Sequence, residues 1–110
     1  GAKIVDVVVL DKDDQGRAFD IVFLKDTTSI GTENAALAIT DANADKIQGI
    51  IEVAEADYVD LLNSQIVCKT GVDINVQPTS GTSIGVAAIA RGTPTHTVSG
   101  ITLKVGLDQI

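Results

Sequence analysis

The stretch that decides the fold is Gly81–Ile110, GTSIGVAAIARGTPTHTVSGITLKVGLDQI. Its end alternates mostly polar residues with four apolar ones, Ile101, Leu103, Val105 and Leu107. This is the period of a strand with one buried face. The run Ile84–Ala90 is apolar on both faces, and Arg91–Gly100, rich in Gly, Thr, Ser and Pro, separates the two runs. The pattern predicts a long exposed hairpin whose tip contacts another molecule.

The composition indicates a single mainly β domain over residues 1–110. A chain of 110 residues is the size of one domain with one modest core. Hydrophobic residues make up 45%, but aromatic residues only 3%, and Trp and Met are absent, so Val, Ile, Leu and Ala must fill the interior. The β-branched members of that set favour a pleated sheet.

The charge and the cysteine usage narrow the classes of partner. The net charge is −7 and the basic residues are scattered, which argues against nucleic acid, since phosphate binding needs a basic patch. No apolar run is long enough to span a membrane, and GAKIVDVVVL is too short and too acidic for a signal peptide. Cys68 has no disulfide partner, and we expect it to be a small buried residue of a strand. Assembly in a reducing cytoplasm, without a membrane, is the expectation.

The first 25 residues predict a hairpin. Ala2–Leu10 is a strand with apolar residues on both faces, which suits either the centre of a sheet or an interface. Ile4 and Val8 are expected to share one face of it. Asp11–Gly16 reads as a turn, and Phe19–Lys25 as the return strand.

The middle of the chain predicts short helical pieces between strands. Glu33–Ile39 is Ala-rich and is either helix or strand. Thr40 or Asp41 is an N-cap for a short helix over Ala42–Ile47, which Gly49 ends.

Further strands follow at a spacing of about ten residues. They are Ile50–Ala54, Gln65–Thr70 and Val72–Gln77, with one helical turn beginning near Asp57. Seven or eight strands with hairpin-like connections predict an antiparallel β-sandwich or small β-barrel with one or two short helices.

Asp11–Gly16, DKDDQG, has the look of a calcium loop, since several carboxylates surround a Gly-enabled turn. The twelfth position from Asp11 is Val22, where an EF-hand places a Glu, and the flanks read as strands. We therefore expect a turn with Gly16 at positive φ and its acidic groups in water, and keep a weak surface cation site as the alternative.

No set of residues for catalysis can be assembled. His96 is the only His and sits in a polar loop, away from any second zinc ligand or triad partner. Gly81–Gly85 lacks the Lys-Ser/Thr of a phosphate loop. The acidic residues near Tyr58 read as a solvated face that could also meet a basic groove; they are Glu52, Glu55, Asp57 and Asp60. We expect no enzyme, no metal and no cofactor.

Three segments carry a resemblance to a known family: ITDANADKIQGIIEVAEADY, GVDINVQ and VAAIARGTPTHTVSGITLKVGLDQI. With their Ala/Gly/Thr-rich strands and G-T-P-T loop, they are similar to the small capsid decoration (cement) proteins of tailed bacteriophages. The resemblance implies a β-rich protein of the virion, on the outer capsid surface, that binds the major capsid protein at capsomer junctions as a monomer, dimer or trimer. It also implies that the protein has neither catalytic residues nor a cofactor.

On this interpretation two parts of the chain are expected to contact the capsid or a neighbouring subunit. The loop would contribute Arg91, Pro94 and His96, and the first strand would contribute Ile4 and Val8 by adding to a sheet edge. The alternatives are another virion component, such as a tail-tube, neck or fibre-base protein, and a ligand-binding β-sandwich. Carbohydrate sites usually need aromatic platforms, and the chain has few aromatic residues.

Overall fold

The structure is a computed structural model that describes residues 1–27, 29–31, 37–79, 81–92 and 100–109. Its strands are β1 Ala2–Asp11, β2 Phe19–Leu24, β3 Ile47–Val53, β4 Val59–Asp60, β5 Gln65–Val76, β6 Gly85–Ala90 and β7 Ile101–Gln109. The helix α1 spans Asp41–Ala44, and a 3-10 turn spans Glu55–Asp57. The mainly β prediction is confirmed.

The strands form two antiparallel sheets. Sheet 1 has the order β4-β5-β1-β7 and sheet 2 has the order β3-β2-β6. The shared core draws on both sheets: Ile4, Val7, Val9, Ile21, Phe23, Ile51, Val53, Val67 and Val76. Of the two predicted architectures, the sandwich is therefore the one observed.

Both predicted hairpins are wrong. β1 pairs with β5 and β7, while β2 pairs with β3 and β6, so the first two strands lie in different sheets. β6 and β7 are divided between the sheets in the same way. An alternating pattern indicates that one face of a strand is buried. The pattern does not show whether the next strand in the chain pairs beside it or packs across the core in the other sheet.

Glycine allows the two sheets to approach closely between β3 and β5. A Cβ on Gly49 would lie 2.6 Å from Cγ2 of Ile74. The amide side chain of Gln48 ties the same region together, since it donates to the Gln77 carbonyl and accepts from the Gln77 N–H at 3.0 and 2.9 Å. These contacts fix the position of sheet 2 over β5.

A bulge in β1 separates two residues that were expected to share a face. The pairing with β7 gains one residue at Val5, between Ile4 and Asp6. Because one extra residue reverses the alternation, Ile4 points into the core with Val7, and Val8 points outward. Ile4 is fully buried and β1 has strands on both sides, so the expected addition of this strand to a neighbouring sheet edge is wrong.

Sheet 2 has a second apolar layer on its outer face. Val22 and Leu24 of β2 are buried there against Ile30, with Ile39 packed beside them. The N-cap of α1 is Thr40, as expected, and its Oγ1 accepts from the Asn43 N–H at 3.2 Å. The helix ends at Ala44 rather than Ile47, because β3 begins earlier than predicted.

Two further predictions concern residues 65–77 and Glu33–Ile39. The strands predicted over 65–70 and 72–77 form one strand, β5, which continues through Gly71 at a φ of 70°. Most of Glu33–Ile39 lies outside the described residues, and residues 37–39 belong to no helix or strand. Among the described residues, the helices are too short and too polar to cross a membrane.

Candidate interaction surface

The outer face of sheet 1 carries an apolar surface in the part of the chain that the structure describes. Val59 lies opposite Ile66, which lies opposite Leu10, so these three side chains form a row across three strands. In the next row Cys68 lies opposite Val8. We call these five residues the outer apolar face. Val59 is 59% exposed, Cys68 is exposed, and the other three are half-buried.

The position of Cys68 corrects its expected burial. The residue does lie in a strand, but Val67 is the one that enters the core, at 1% exposure. Cys68 lies on the outer side of sheet 1, which faces away from sheet 2, and is exposed. The alternation of β5 and the pairing with β1 decide this, and the residue type does not.

A tight turn of two leucines lies beside this face. We call Leu61–Ser64, which joins β4 to β5, the leucine turn; the Leu61 N–H donates to the Ser64 carbonyl at 2.8 Å. Leu62 is 81% exposed and has a φ of 77°. Its N–H donates to Asp60 Oδ1 at 2.8 Å, which holds the residue in that conformation.

Leu62 is unfavourable for the isolated protein in two ways. A left-handed conformation costs an L-residue roughly 1–2 kcal/mol, and Gly or Asn would be the usual choice. Its side chain also forgoes the stabilisation of about 1.5–3 kcal/mol that burial of a Leu provides. Strain and an exposed apolar side chain at one residue are typical of a contact site.

The leucine turn is bordered by acidic groups. Asp60 flanks it on one side. Gln65, the strand partner of Asp60, donates its side-chain N–H to Asp14 Oδ1 at 2.9 Å and so holds a second, exposed carboxylate nearby. This end of the molecule therefore combines exposed leucines with negative charge.

The acidic residues near Tyr58 do not form one face. Asp57 accepts from Lys69 Nζ and from the Ala54 N–H, both at 2.8 Å, and these hydrogen bonds lower the pKa of its carboxyl group. Glu55 pairs with Arg17 at 3.6 Å. Glu52 lies on sheet 2, and Asp60 belongs to the leucine turn. Glu52, Glu55 and Asp60 are exposed, as predicted, but the four acidic residues do not share one face.

Tyr58 braces the connection between the sheets. Its hydroxyl donates to the Arg17 carbonyl at 2.8 Å. Partial burial, together with the nearby charges of Asp11 and Asp57, raises the pKa of Tyr58 to about 12. The phenol is therefore neutral and a hydrogen-bond donor at physiological pH.

The loop that resembled a calcium site is held by its own carboxylate. Asp11 is fully buried, and its oxygens accept from the N–H groups of Asp13, Gln15 and Gly16 at 2.8–3.0 Å. Gly16 has the expected positive φ, 59°. The expectation that all the acidic groups face water is wrong for Asp11, and no group of three metal-ligating side chains occurs among the described residues.

The sites predicted from sequence are not brought together. Val8 lies on the outer apolar face, whereas Arg91 follows β6 of sheet 2. The Arg91 guanidinium pairs with Asp20, which is 8% exposed, with Nε 2.8 Å from Oδ2. The Arg91 side chain stays 51% exposed in this ion pair. Pro94 and His96 lie outside the described residues.

Two cavities accompany these features. One, of about 340 Å³, is lined by the Arg91–Asp20 pair together with Glu52 and the backbone around Val53. The other, of about 180 Å³, lies beside Phe19, Tyr58 and Ile101. The second is mostly apolar but is smaller than the usual small-molecule site of roughly 300–1,000 Å³.

Comparisons with models of protein families, with curated proteins and with solved structures found no match to this chain. The candidate surface therefore rests on its own geometry. Sequence reasoning named only Val8 of it and missed the leucine turn. The available signal was a pair of leucines directly before Asn63-Ser64, where a turn would normally be polar.

Proposed function

We propose that this protein is a non-enzymatic structural protein of a tailed-phage virion that binds the outside of the assembled capsid and stabilises it. The family resemblance of residues 39–110 supports this role. The observation that carries it is the exposed, strained Leu62 beside the outer apolar face, because a binding protein needs such an apolar contact and the fold itself does not.

The partner in this proposal is the major capsid protein at the junctions between capsomers. A few buried anchors usually supply most of the energy of a protein interface, and Leu62 with Leu61 and Val59 would be those anchors. Each contact would be modest. Many copies on one lattice would still bind strongly if neighbouring copies also touch one another, since a second contact then forms at a high local concentration.

Charge supports the orientation of this contact. The net charge is −7, and Asp14 and Asp60 border the leucine turn. An apolar pocket with Lys or Arg at its rim is the complementary surface, since opposite potentials speed association and exclude other partners.

Co-sedimentation with capsids that lack this protein tests the proposal. Unexpanded and expanded shells are each incubated with wild-type protein, with Leu62→Asn and with Leu37→Asn. Leu37 is also an exposed leucine, 51% accessible, and lies away from the outer apolar face in the chain, so it is the matched control. We expect saturable binding to expanded shells, higher resistance of those shells to heat, and at least about tenfold weaker binding of Leu62→Asn alone.

Other results would redirect the assignment. Absence of wild-type binding to both kinds of shell would contradict the capsid role. Electron micrographs of particles that lack the protein would then separate the alternatives, since missing tails indicate a tail or neck component, and fragile but complete heads indicate a cement protein.

A further inference from the structure

Among the described strands, β7 is an edge strand of sheet 1. The sheet order ends with β7, whose nine residues Ile101–Gln109 pair with β1 on one side and with no described strand on the other. A row of backbone N–H and C=O groups on an open edge can pair with another chain, and proteins usually block such edges.

The other long edge of sheet 1 is less regular. On the side of β4, the described residues pair with β5 only at its first two residues, but β5 carries Gly71 at a φ of 70°. Its register with β1 also shifts by two residues between Ile74 and Thr70, and such a bulge disrupts an edge. In the β1–β7 pair the extra residue is Val5 of β1, so β7 itself is continuous.

An apolar side chain on β7 is incompletely covered. Leu107 is 56% exposed, although its neighbour across the strand pair, Ile4, is fully buried. β1 covers Leu107 from one side only. A strand added beyond β7 would cover its other side.

The charges on β7 select one register for a second copy. Lys104 and Asp108 lie on the outer face, opposite Val8 and Lys3, and form no ion pair within the described residues. If two copies of β7 pair antiparallel, only a two-fold axis at Gly106 places Lys104 directly opposite the Asp108 of the second copy. The same register places Leu107 opposite Val105. Opposite charges and apolar pairs at such positions stabilise a sheet.

We propose that a second copy of this chain pairs with β7 antiparallel about a two-fold axis at Gly106, forming one eight-stranded sheet. Directly opposite residues of an antiparallel pair point to the same side. The outer apolar faces of both copies therefore lie on the same side of the joined sheet, and a dimer presents two of them together. This self-association does not depend on capsid binding.

Sedimentation velocity over a concentration series measures the dissociation constant of the dimer. Variants that exchange the charges on β7 test whether the Lys104–Asp108 pairs stabilise it. Lys104→Glu places two acidic groups opposite each other at both symmetric positions, so we expect about a tenfold or larger rise in the dissociation constant. The double variant Lys104→Glu/Asp108→Lys restores the pairs and should return it to near the wild-type value. Lys12→Glu makes the same change in net charge on an exposed loop residue and should leave the dimer intact.

Cross-linking tests the register. In a Cys68→Ser background, the single variants Lys104→Cys and Asp108→Cys are mixed and oxidised. A mixed dimer places the two thiols opposite each other within disulfide range and keeps the second Lys104–Asp108 pair. We expect a covalent dimer from the mixture and none from either variant alone. The mixture of Thr102→Cys with Asp108→Cys, which belongs to a different register, should not cross-link.

The outcomes separate cleanly. A wild-type protein that stays monomeric at its highest soluble concentration overturns the proposal. So does a dimer that is insensitive to Lys104→Glu and does not cross-link between positions 104 and 108, since its interface then lies elsewhere. Circular dichroism of each variant shows that lost association is not lost folding.

Discussion

At the residue scale, the contacts of several side chains could not be predicted from the neighbouring sequence. Asp11 is a buried carboxylate whose charge is met by three backbone N–H groups of its own loop. Arg91, expected in an interface, neutralises the nearly buried Asp20. Leu62, by contrast, destabilises the isolated fold, because its backbone is strained and its side chain is exposed. Residue type alone does not show these contacts, and the expected contact role of Arg91 stays a prediction.

Leu62→Gly should raise stability while it weakens binding. Relief of the left-handed strain, roughly 1–2 kcal/mol, exceeds the backbone entropy cost of Gly, roughly 0.5–1 kcal/mol. We expect a gain of a few tenths to about 1 kcal/mol in the free energy of unfolding, measured in urea. Leu61→Gly has no positive φ to relieve and should not stabilise. A Leu62→Gly protein less stable than wild type would contradict the strain at this position.

Asp11→Ala should be strongly destabilising. Removal of the carboxylate leaves three loop N–H groups without their acceptor, so we expect a loss of about 3 kcal/mol in the free energy of unfolding. Asp11→Asn keeps one acceptor oxygen and should lose less. The control is Asp14→Asn, in which the amide oxygen can still accept from Gln65. Equal stability of wild type and Asp11→Ala in urea would remove the role assigned to this loop.

Tyr58 offers a direct pH measurement, because it is the only Tyr and the chain has no Trp. The folded pKa of about 12 lies above the ordinary value of 10.0. The neutral phenol thus stabilises the folded state fully below pH 10, and this contribution is lost as the pH rises from 10 through about 12. Phenolate absorbance should titrate near 12 in native protein and near 10 in denaturant. Coincident curves would contradict the burial of this ring.

At the element scale, the strands were predictable and their partners were not. Alternating apolar residues located β1, β2 and β7, and Thr40, one of the two expected N-caps, caps α1. The hairpins failed because β1 with β2, and β6 with β7, cross between sheets. Close approach at Gly49 depends on a residue far along the chain, Ile74, which local pattern does not contain.

Gly49→Ala tests the packing of β3 on β5. The added methyl group would overlap Ile74, so we expect a loss of about 1–3 kcal/mol in the free energy of unfolding. Ile74→Ala opens the space, and the double variant should therefore lose less than the two single changes add up to, by at least about 0.5 kcal/mol. Gly31→Ala, with no atom of the described residues within 4 Å of the new methyl group, is the control. If the losses in the free energy of unfolding were additive, the overlap with Ile74 would not be the cause of the Gly49→Ala effect.

At the scale of the whole molecule, the outer faces of the two sheets differ in how far other residues cover them. The outer face of sheet 2 is partly covered by Ile30 and Ile39 from the β2–β3 connection, although Ile50, opposite Val22, stays 49% exposed. In the described residues, the outer face of sheet 1 has no such layer and ends in the leucine turn. The open edge at β7 is continuous with that face. The outer face of sheet 1, its edge at β7 and the acidic end are the surfaces at which we propose that partners bind.

The proposed contact with a basic protein surface predicts a salt dependence. Binding of wild-type protein to expanded shells should weaken as ionic strength rises, since exposed charges are screened beyond roughly 8–10 Å in physiological salt. The double variant Asp14→Asn/Asp60→Asn keeps the side-chain acceptors but removes both charges, so its binding should be weaker and less salt-dependent. A slope equal to that of wild type would show that these carboxylates do not face the partner.

The sequence by itself determined a mainly β fold, most strand positions, a cap of α1 at Thr40 or Asp41 and the positive φ at Gly16, because each depends on neighbouring residues. Only the tertiary structure decided which strands pair, that a bulge at Val5 turns Ile4 inward and Val8 outward, and that Cys68 and Leu62 are exposed. A local pattern shows that a face is apolar. Whether that face is covered depends on contacts between residues far apart in the chain, and the candidate surface is made of the apolar groups that those contacts leave uncovered.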